Sequence, residues 1–62
     1  MDKDTLMNMD VNILVSMVNM KIRDYYGTLE AYCEDNNIKS SDIINKLSTG
    51  GFQYNKEINQ FR

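Results

Sequence analysis

Several residues that build stabilising or catalytic sites are scarce in this 62-residue sequence, which has no histidine, no proline and a single cysteine, Cys33. One thiol cannot form an intramolecular disulfide, and a zinc site needs further cysteine or histidine ligands. Without an imidazole in the chain, Cys33 also lacks an obvious base, so we interpret it as a core thiol. Packing and self-association are the remaining means by which so short a chain gains stability.

Long apolar runs are missing as well. No stretch approaches the roughly 20 apolar residues that span a bilayer, and the start, Met1-Asp2-Lys3-Asp4, lacks the basic region of a secretory signal. Hydrophobic residues make up 42% and charged residues 26% of the chain, which is ordinary for a folded domain. We therefore expect a folded cytoplasmic protein that contacts no membrane and keeps Cys33 reduced.

Positive charge is scarce until late in the sequence. The net charge of −2 argues against general affinity for nucleic acid. From position 39 onward the balance reverses, so any surface for anions is expected in that part of the chain. Its charged residues are Lys39, Lys46, Lys56 and Arg62 on one side and Asp42 and Glu57 on the other.

Periodicity and capping residues predict three helices, approximately 11–26, 29–36 and 41–48. Asp10 and Thr28 are suited to cap the first two, and Ser40 or Ser41 the third. Gly27 is suited to end the first helix, and Asn37 to a left-handed turn between the second and third. We expect residues 1–9 to form an extended or frayed arm preceding a single domain of residues 10–62.

The first predicted helix is apolar on more than one side. Its main stripe is expected to face the rest of the protomer, and a second stripe of Ile13, Met17 and Met20 is then left over. Either a second copy of the chain covers this second stripe, or the arm folds back over it. The main stripe consists of Val11, Leu14, Val18, Ile22 and Tyr25.

After Gly51 the hydrophobic period changes from 3.6 to 2, which predicts a hairpin with strands at 52–54 and 58–61 and a turn at 55–57. Such a hairpin is marginal alone, so its aromatic residues Phe52, Tyr54 and Phe61 must pack on the helices. The predicted fold is mainly α: a three-helix, helix-turn-helix-like domain with a C-terminal β-hairpin, similar to a winged helix.

Residues 28–47 resemble a helix-turn-helix unit, which suggests two uses. In a small DNA-binding regulator, polar and basic side chains of this region would contact the nucleic acid. In a protein-interaction module, the same geometry would serve packing and protein contacts. The possible nucleic-acid contacts are Lys39, Ser41, Asn45, Lys46 and Lys56.

The most distinctive motifs of the chain are Ile22-Arg23-Asp24 and the ending Asn59-Gln60-Phe61. They lie in the segments 12–16, 19–26 and 51–61, which are accompanied by Asp4, Leu29 and Cys33. With these residues the sequence resembles the bacterial family called domain of unknown function 4250. Proteins of this family often open the first helix with proline, where this chain has Val11. The resemblance implies a stand-alone bacterial cytoplasmic protein and brings no catalytic residues.

The family motifs leave two interpretations of their polar residues. Arg23, Asp24, Asn59 and Gln60 either form a structural network that ties the hairpin to the first helix, or form a patch for a partner. We favour the network. As a whole, the sequence predicts a non-enzymatic protein-interaction module without a cofactor, a homodimer or a binder of an unidentified protein, with the DNA-binding regulator as the alternative.

Overall fold

The computed structural model describes residues 3–62 as a mainly helical domain with a small C-terminal hairpin, as predicted. Four α-helices are followed by two short strands, and a π-helical turn extends the second helix. The elements are α1 (Lys3–Met7), α2 (Val11–Lys21), the π-helical turn (Ile22–Tyr26), α3 (Leu29–Asp35), α4 (Ser40–Ser48), β1 (Tyr54–Asn55) and β2 (Gln60–Phe61).

The predicted N-terminal arm is neither extended nor frayed where the structure describes it. Residues 3–7 form α1, and the side chain of Leu6 is completely buried. The ammonium of Lys3 lies 3.1 Å from the carboxylate of Asp42 and so connects α1 to α4. The first two positions of the predicted arm lie outside the described residues. Burial of Leu6 is the reason that α1 folds back onto the domain.

Helix α2 begins as predicted and ends differently. The carboxylate of Asp10 accepts hydrogen bonds from the backbone N–H groups of Asn12 and Ile13, at 3.0 and 3.2 Å. After Lys21 the helix widens into the π-helical turn, and the N–H of Gly27 donates to the carbonyl of Ile22, five residues back, at 2.7 Å. Gly27 has a φ of 77°, the left-handed conformation expected for it.

Because of the π-helical turn, the prediction is wrong for one residue of the main stripe, Tyr25. Leu14, Val18 and Ile22 are buried, but Tyr25 is 72% exposed. The wider turn rotates the following residues, so Tyr26 packs against the core in place of Tyr25. Its ring meets that of Tyr32 edge-on, with ring centroids 5.4 Å apart.

The short helices α3 and α4 are joined by a turn at Asn36–Asn37. The Thr28 hydroxyl accepts from the Ala31 N–H at 3.1 Å, which confirms the predicted cap, and Asn37 has a φ of 57°. The predicted serine cap of the third helix is wrong. Lys39 holds the cap position without a side-chain hydrogen bond, and Ser40 lies in the first turn of α4.

The C-terminal hairpin is confirmed but shorter than predicted. Strands β1 and β2 are antiparallel, with Tyr54 opposite Phe61, and the turn takes up residues 56–59. Ile58, expected in the second strand, therefore lies in the turn and is 41% exposed. Phe61 is buried, while Phe52 and Tyr54 pack against the core, as predicted.

One core joins all the helices to the hairpin. Helix α2 contacts both α4 and β2, and α3 contacts α4. None of the helices in the described chain is long and apolar enough to cross a membrane. The core consists of Leu6, Leu14, Val15, Val18, Ile22, Leu29, Tyr32, Cys33, Ile38, Ile43, Leu47 and Phe61.

Candidate functional site

Cys33 is held in the core as an unreactive thiol. Its side chain is buried, and burial raises its pKa from 9.0 to about 11, with a smaller effect from the nearby acids Glu30 and Asp42. A thiol with so high a pKa stays protonated near neutral pH, whereas the thiolate is the nucleophile. Among residues 3–62, no three side chains of the metal-binding types lie close enough together to hold an ion.

The two polar residues of the π-helical turn pair with each other. The guanidinium of Arg23 donates two hydrogen bonds to the carboxylate of Asp24, at 2.8 and 3.1 Å. This hydrogen bonding lowers the pKa of Asp24 and raises the pKa of Arg23. Both side chains are exposed. The ion pair therefore sits on the surface of the helix.

Asn59, from the same predicted network, does connect the hairpin to a helix end. Its side-chain amide donates to the carbonyl of Gly27 at 2.6 Å, and its side-chain oxygen accepts from the hydroxyl of Tyr54 at 2.5 Å. Gln60 is half-buried in β2, opposite Asn55. The four predicted residues are thus divided between a surface ion pair and the hairpin.

The other link between the hairpin and α2 comes from Asn19, which was not among the predicted site residues. The amide of Asn19 donates to the carbonyl of Phe61 at 3.1 Å and accepts from the N–H of Phe61 at 2.8 Å. Both groups of Phe61 point away from β1, because the neighbouring Gln53–Arg62 pair supplies the inter-strand hydrogen bonds. A sequence signal existed, since Asn19 lies four residues after Val15 and three before Ile22, both buried.

The candidate nucleic-acid residues are spread over two elements. Ser41 and Asn45 are exposed on α4, and Lys39 is exposed at its beginning, but Lys46 is half-buried on the same helix. Lys56 is exposed in the turn of the hairpin. Between α4 and the hairpin there is an open groove of about 430 Å³, lined by Ile44, Ser48, Phe52, Gln53, Tyr54 and Lys56.

Two of the three residues predicted for self-association, Ile13 and Met20, lie on the side of α2 that points away from the core, whereas Met17 packs against the core. Ile13 is 61% exposed and Met20 is 41% exposed, while Met17 is half-buried. At 100° per residue, Ile13 and Met20 lie within about 20° of each other, roughly opposite the buried Val18 and Ile22. We call Ile13, Ser16 and Met20, with Met17 at the edge, the outer face of α2. An apolar helix side without cover is typical of a contact surface.

The fold and these surfaces define a small, mainly helical domain with a C-terminal hairpin and an apolar outer helix face. The model of the family described as Domain of unknown function (DUF4250) matches residues 8–61, so the chain belongs to that family. Searches of curated proteins and of solved structures find no match.

Proposed function

We propose that this protein is a non-enzymatic protein-interaction module of the bacterial cytoplasm, with the outer face of α2 as its contact surface. The observation that carries the proposal is the exposure of Ile13 and Met20 on a helix whose opposite side fills the core. Large apolar side chains grouped on one side of a helix lose contact with water when a partner covers them, which favours association.

The state of the chemically reactive groups supports a non-enzymatic role. Cys33 is buried with a raised pKa. The hydroxyls of Tyr26 and Tyr54 are hydrogen-bonded to Asp35 and Asn59, at 2.6 and 2.5 Å. These groups serve the structure of the domain.

The test of this function is capture of partners from the native host by the wild-type chain and by two variants. Met20→Glu places a charge on the outer face, and Ile58→Glu places the same charge in the hairpin turn, where the replaced side chain is equally exposed at 41%. We expect a captured protein, or the host's own copy of the chain, to be lost with Met20→Glu and retained with Ile58→Glu. If Met20→Glu captures the same proteins as the wild type, the outer face is not the contact surface.

A small DNA-binding regulator is the alternative function. The exposed Ser41 and Asn45 on α4, with Lys39 at the beginning of that helix, favour it. Asp42 disfavours it, because its carboxylate lies on the same helix and would repel phosphate. In an electrophoretic binding assay, DNA retention that weakens linearly in log affinity with log salt, and falls when Lys39 and Lys56 are neutralised, would establish this alternative.

A further inference from the structure

The outer face of α2 remains open when all described residues are in place. The predicted arm does fold back, but Leu6 enters the core and Lys3 pairs with Asp42 of α4. Ile13 and Met20 stay exposed. The described part of the arm is therefore not what covers this face.

We propose that the cover is a second copy of this chain, with α2 of each protomer packed antiparallel on α2 of the other about a two-fold axis. The proposal rests on the proposed function and names the partner of the same surface. Closed two-fold pairing is the commonest arrangement of small homo-oligomers, and it requires a surface that is complementary to itself.

The outer face is complementary to itself in the antiparallel direction. With the axis between Ser16 and Met17, Ile13 lies opposite Met20 of the partner subunit, and Met20 lies opposite the partner's Ile13. Each exposed side chain then contacts an apolar side chain. Near the axis, Ser16 lies beside the partner's Ser16 on the flank away from Asp10 and Lys21, and a small residue there lets the two helices approach closely.

The charges at the two ends of α2 also favour antiparallel pairing. Asp10 precedes the helix and Lys21 is its last residue. At 100° per residue they lie on the same flank of the outer face, about 60° and 80° from Ile13. A two-fold axis places this flank beside the same flank of the partner with the ends reversed, so Asp10 comes near the partner's Lys21. Parallel helices would instead leave Asp10 and the partner's Lys21 at opposite ends of the pair.

The size of the surface indicates how tight the dimer is. Stable interfaces bury about 1,200–2,000 Å² in total, whereas the whole chain exposes 4061 Å². An 11-residue helix is only about 16 Å long, so a contact along α2 alone is smaller than such a stable interface. We expect a reversible dimer with a dissociation constant in the micromolar range.

Sedimentation equilibrium on the full chain, up to high micromolar concentration, tests the proposal. We expect a monomer–dimer equilibrium that Met20→Glu weakens at least about tenfold, because the new carboxylate would be buried against the partner's Ile13. Ile58→Glu is the matched control and should leave the dissociation constant unchanged. Circular dichroism checks that each variant is folded; if Met20→Glu unfolds, Ile13→Glu replaces it, at a position 61% exposed.

A separate experiment measures whether the two α2 helices of the dimer are antiparallel. In a sample mixed from isotope-labelled and unlabelled chains, we expect filtered nuclear Overhauser contacts between the methyl groups of Ile13 and Met20 of different protomers. Lys21→Glu should weaken the dimer, and added salt should reduce this effect. Contacts of Ile13 with Ile13 of the partner subunit would overturn the antiparallel arrangement.

The outcomes separate the partner from the function. A chain that stays monomeric at high micromolar concentration refutes the second copy as partner, as does a dimer that Ile58→Glu disrupts and Met20→Glu does not. Loss of host capture with Met20→Glu would still support the outer face as a site for another protein. If Met20→Glu captures the same host proteins as the wild type, the proposed function itself is refuted.

Discussion

Asn19 holds the hairpin to α2 with one side chain. Its amide makes both a donated and an accepted hydrogen bond to Phe61, at 3.1 and 2.8 Å, in a partly buried place. Replacement by alanine leaves the N–H and carbonyl of Phe61 without these partners. We expect Asn19→Ala to lower the free energy of unfolding by about 2 kcal/mol, measured by chemical denaturation.

The control for this prediction is Asn12→Ala on the same helix. Asn12 is exposed, and the identical exchange changes the intrinsic helix propensity by a similar amount at both positions. The difference between the two variants therefore isolates the hydrogen bonds to Phe61. Equal stability of both variants would show that Asn19 contributes nothing beyond its helix.

Because of Cys33, the stability of the fold depends on pH in the alkaline range. The folded protein raises the pKa of the thiol from 9.0 to about 11, so it disfavours the thiolate. The resulting stabilisation is fully present below pH 9 and is lost as the pH rises towards 11, because the unfolded chain then releases the proton more readily. We expect the free energy of unfolding to fall over this range.

The measurement is denaturant unfolding at a series of pH values for the wild type and Cys33→Ala. The variant should have a shallower decline above pH 9, whatever its overall stability. Some decline will remain, because burial also raises the pKa of Tyr32 and of Tyr54. An unchanged slope in Cys33→Ala would contradict the effect of the thiol.

At the scale of elements, the π-helical turn decides which of two adjacent tyrosines faces the core. Tyr26 packs on Tyr32, and Tyr25 is 72% exposed beneath the ammonium of Lys21, which lies 4.8 Å from its ring centroid. We expect Tyr25→Ala to change the free energy of unfolding by at most about 1 kcal/mol. Tyr26→Ala should have a clearly larger effect, because it removes core packing.

Thermal denaturation of both variants at low protein concentration measures which of them is less stable. Tyr26→Phe is a useful third variant, because it keeps the ring and removes only the hydrogen bond to Asp35. The stability of Tyr26→Phe should be closer to that of the wild type than the stability of Tyr26→Ala is. The reverse order for the two alanine variants would mean that the helix continues as a regular α-helix through this region.

Local chemistry explains which element ends could be predicted from the sequence. Asp10, Thr28 and Gly27 act within a few residues of their own positions, so their roles as caps and as a helix end follow from residue type. The π-helical turn could not be predicted in this way. It depends on the packing of Tyr26 against Tyr32, and a regular period of 100° per residue predicts Tyr25 on the inside.

At the scale of the whole molecule, α1 is part of the core although it precedes the span that the family model matches. That span begins at residue 8, and Leu6 is completely buried. We expect Leu6→Ala to lower the free energy of unfolding by about 2–4 kcal/mol, by chemical denaturation. Met7→Ala, at a half-buried neighbour, should cost less; an equal effect would show that α1 adds no specific packing.

The overall architecture could be predicted from the sequence, and the contacts between distant segments largely could not. The helices follow from the hydrophobic period and the caps, the hairpin follows from the change in that period after Gly51, and the exposed apolar side of α2 follows from Ile13 and Met20. The burial of Leu6 and the bonds between Asn19 and Phe61 join positions far apart in the chain. The residues next to Leu6 or Asn19 in the sequence do not indicate which distant residue each of them contacts.

The position of Asn19 also determines how the small sheet ends. A strand at the edge of a sheet offers free N–H and carbonyl groups to strands of other molecules, and these groups can start aggregation. In β2 the outward N–H and carbonyl of Phe61 are both occupied by Asn19. The helix thus closes this edge of the sheet and keeps a third strand from adding beside Phe61.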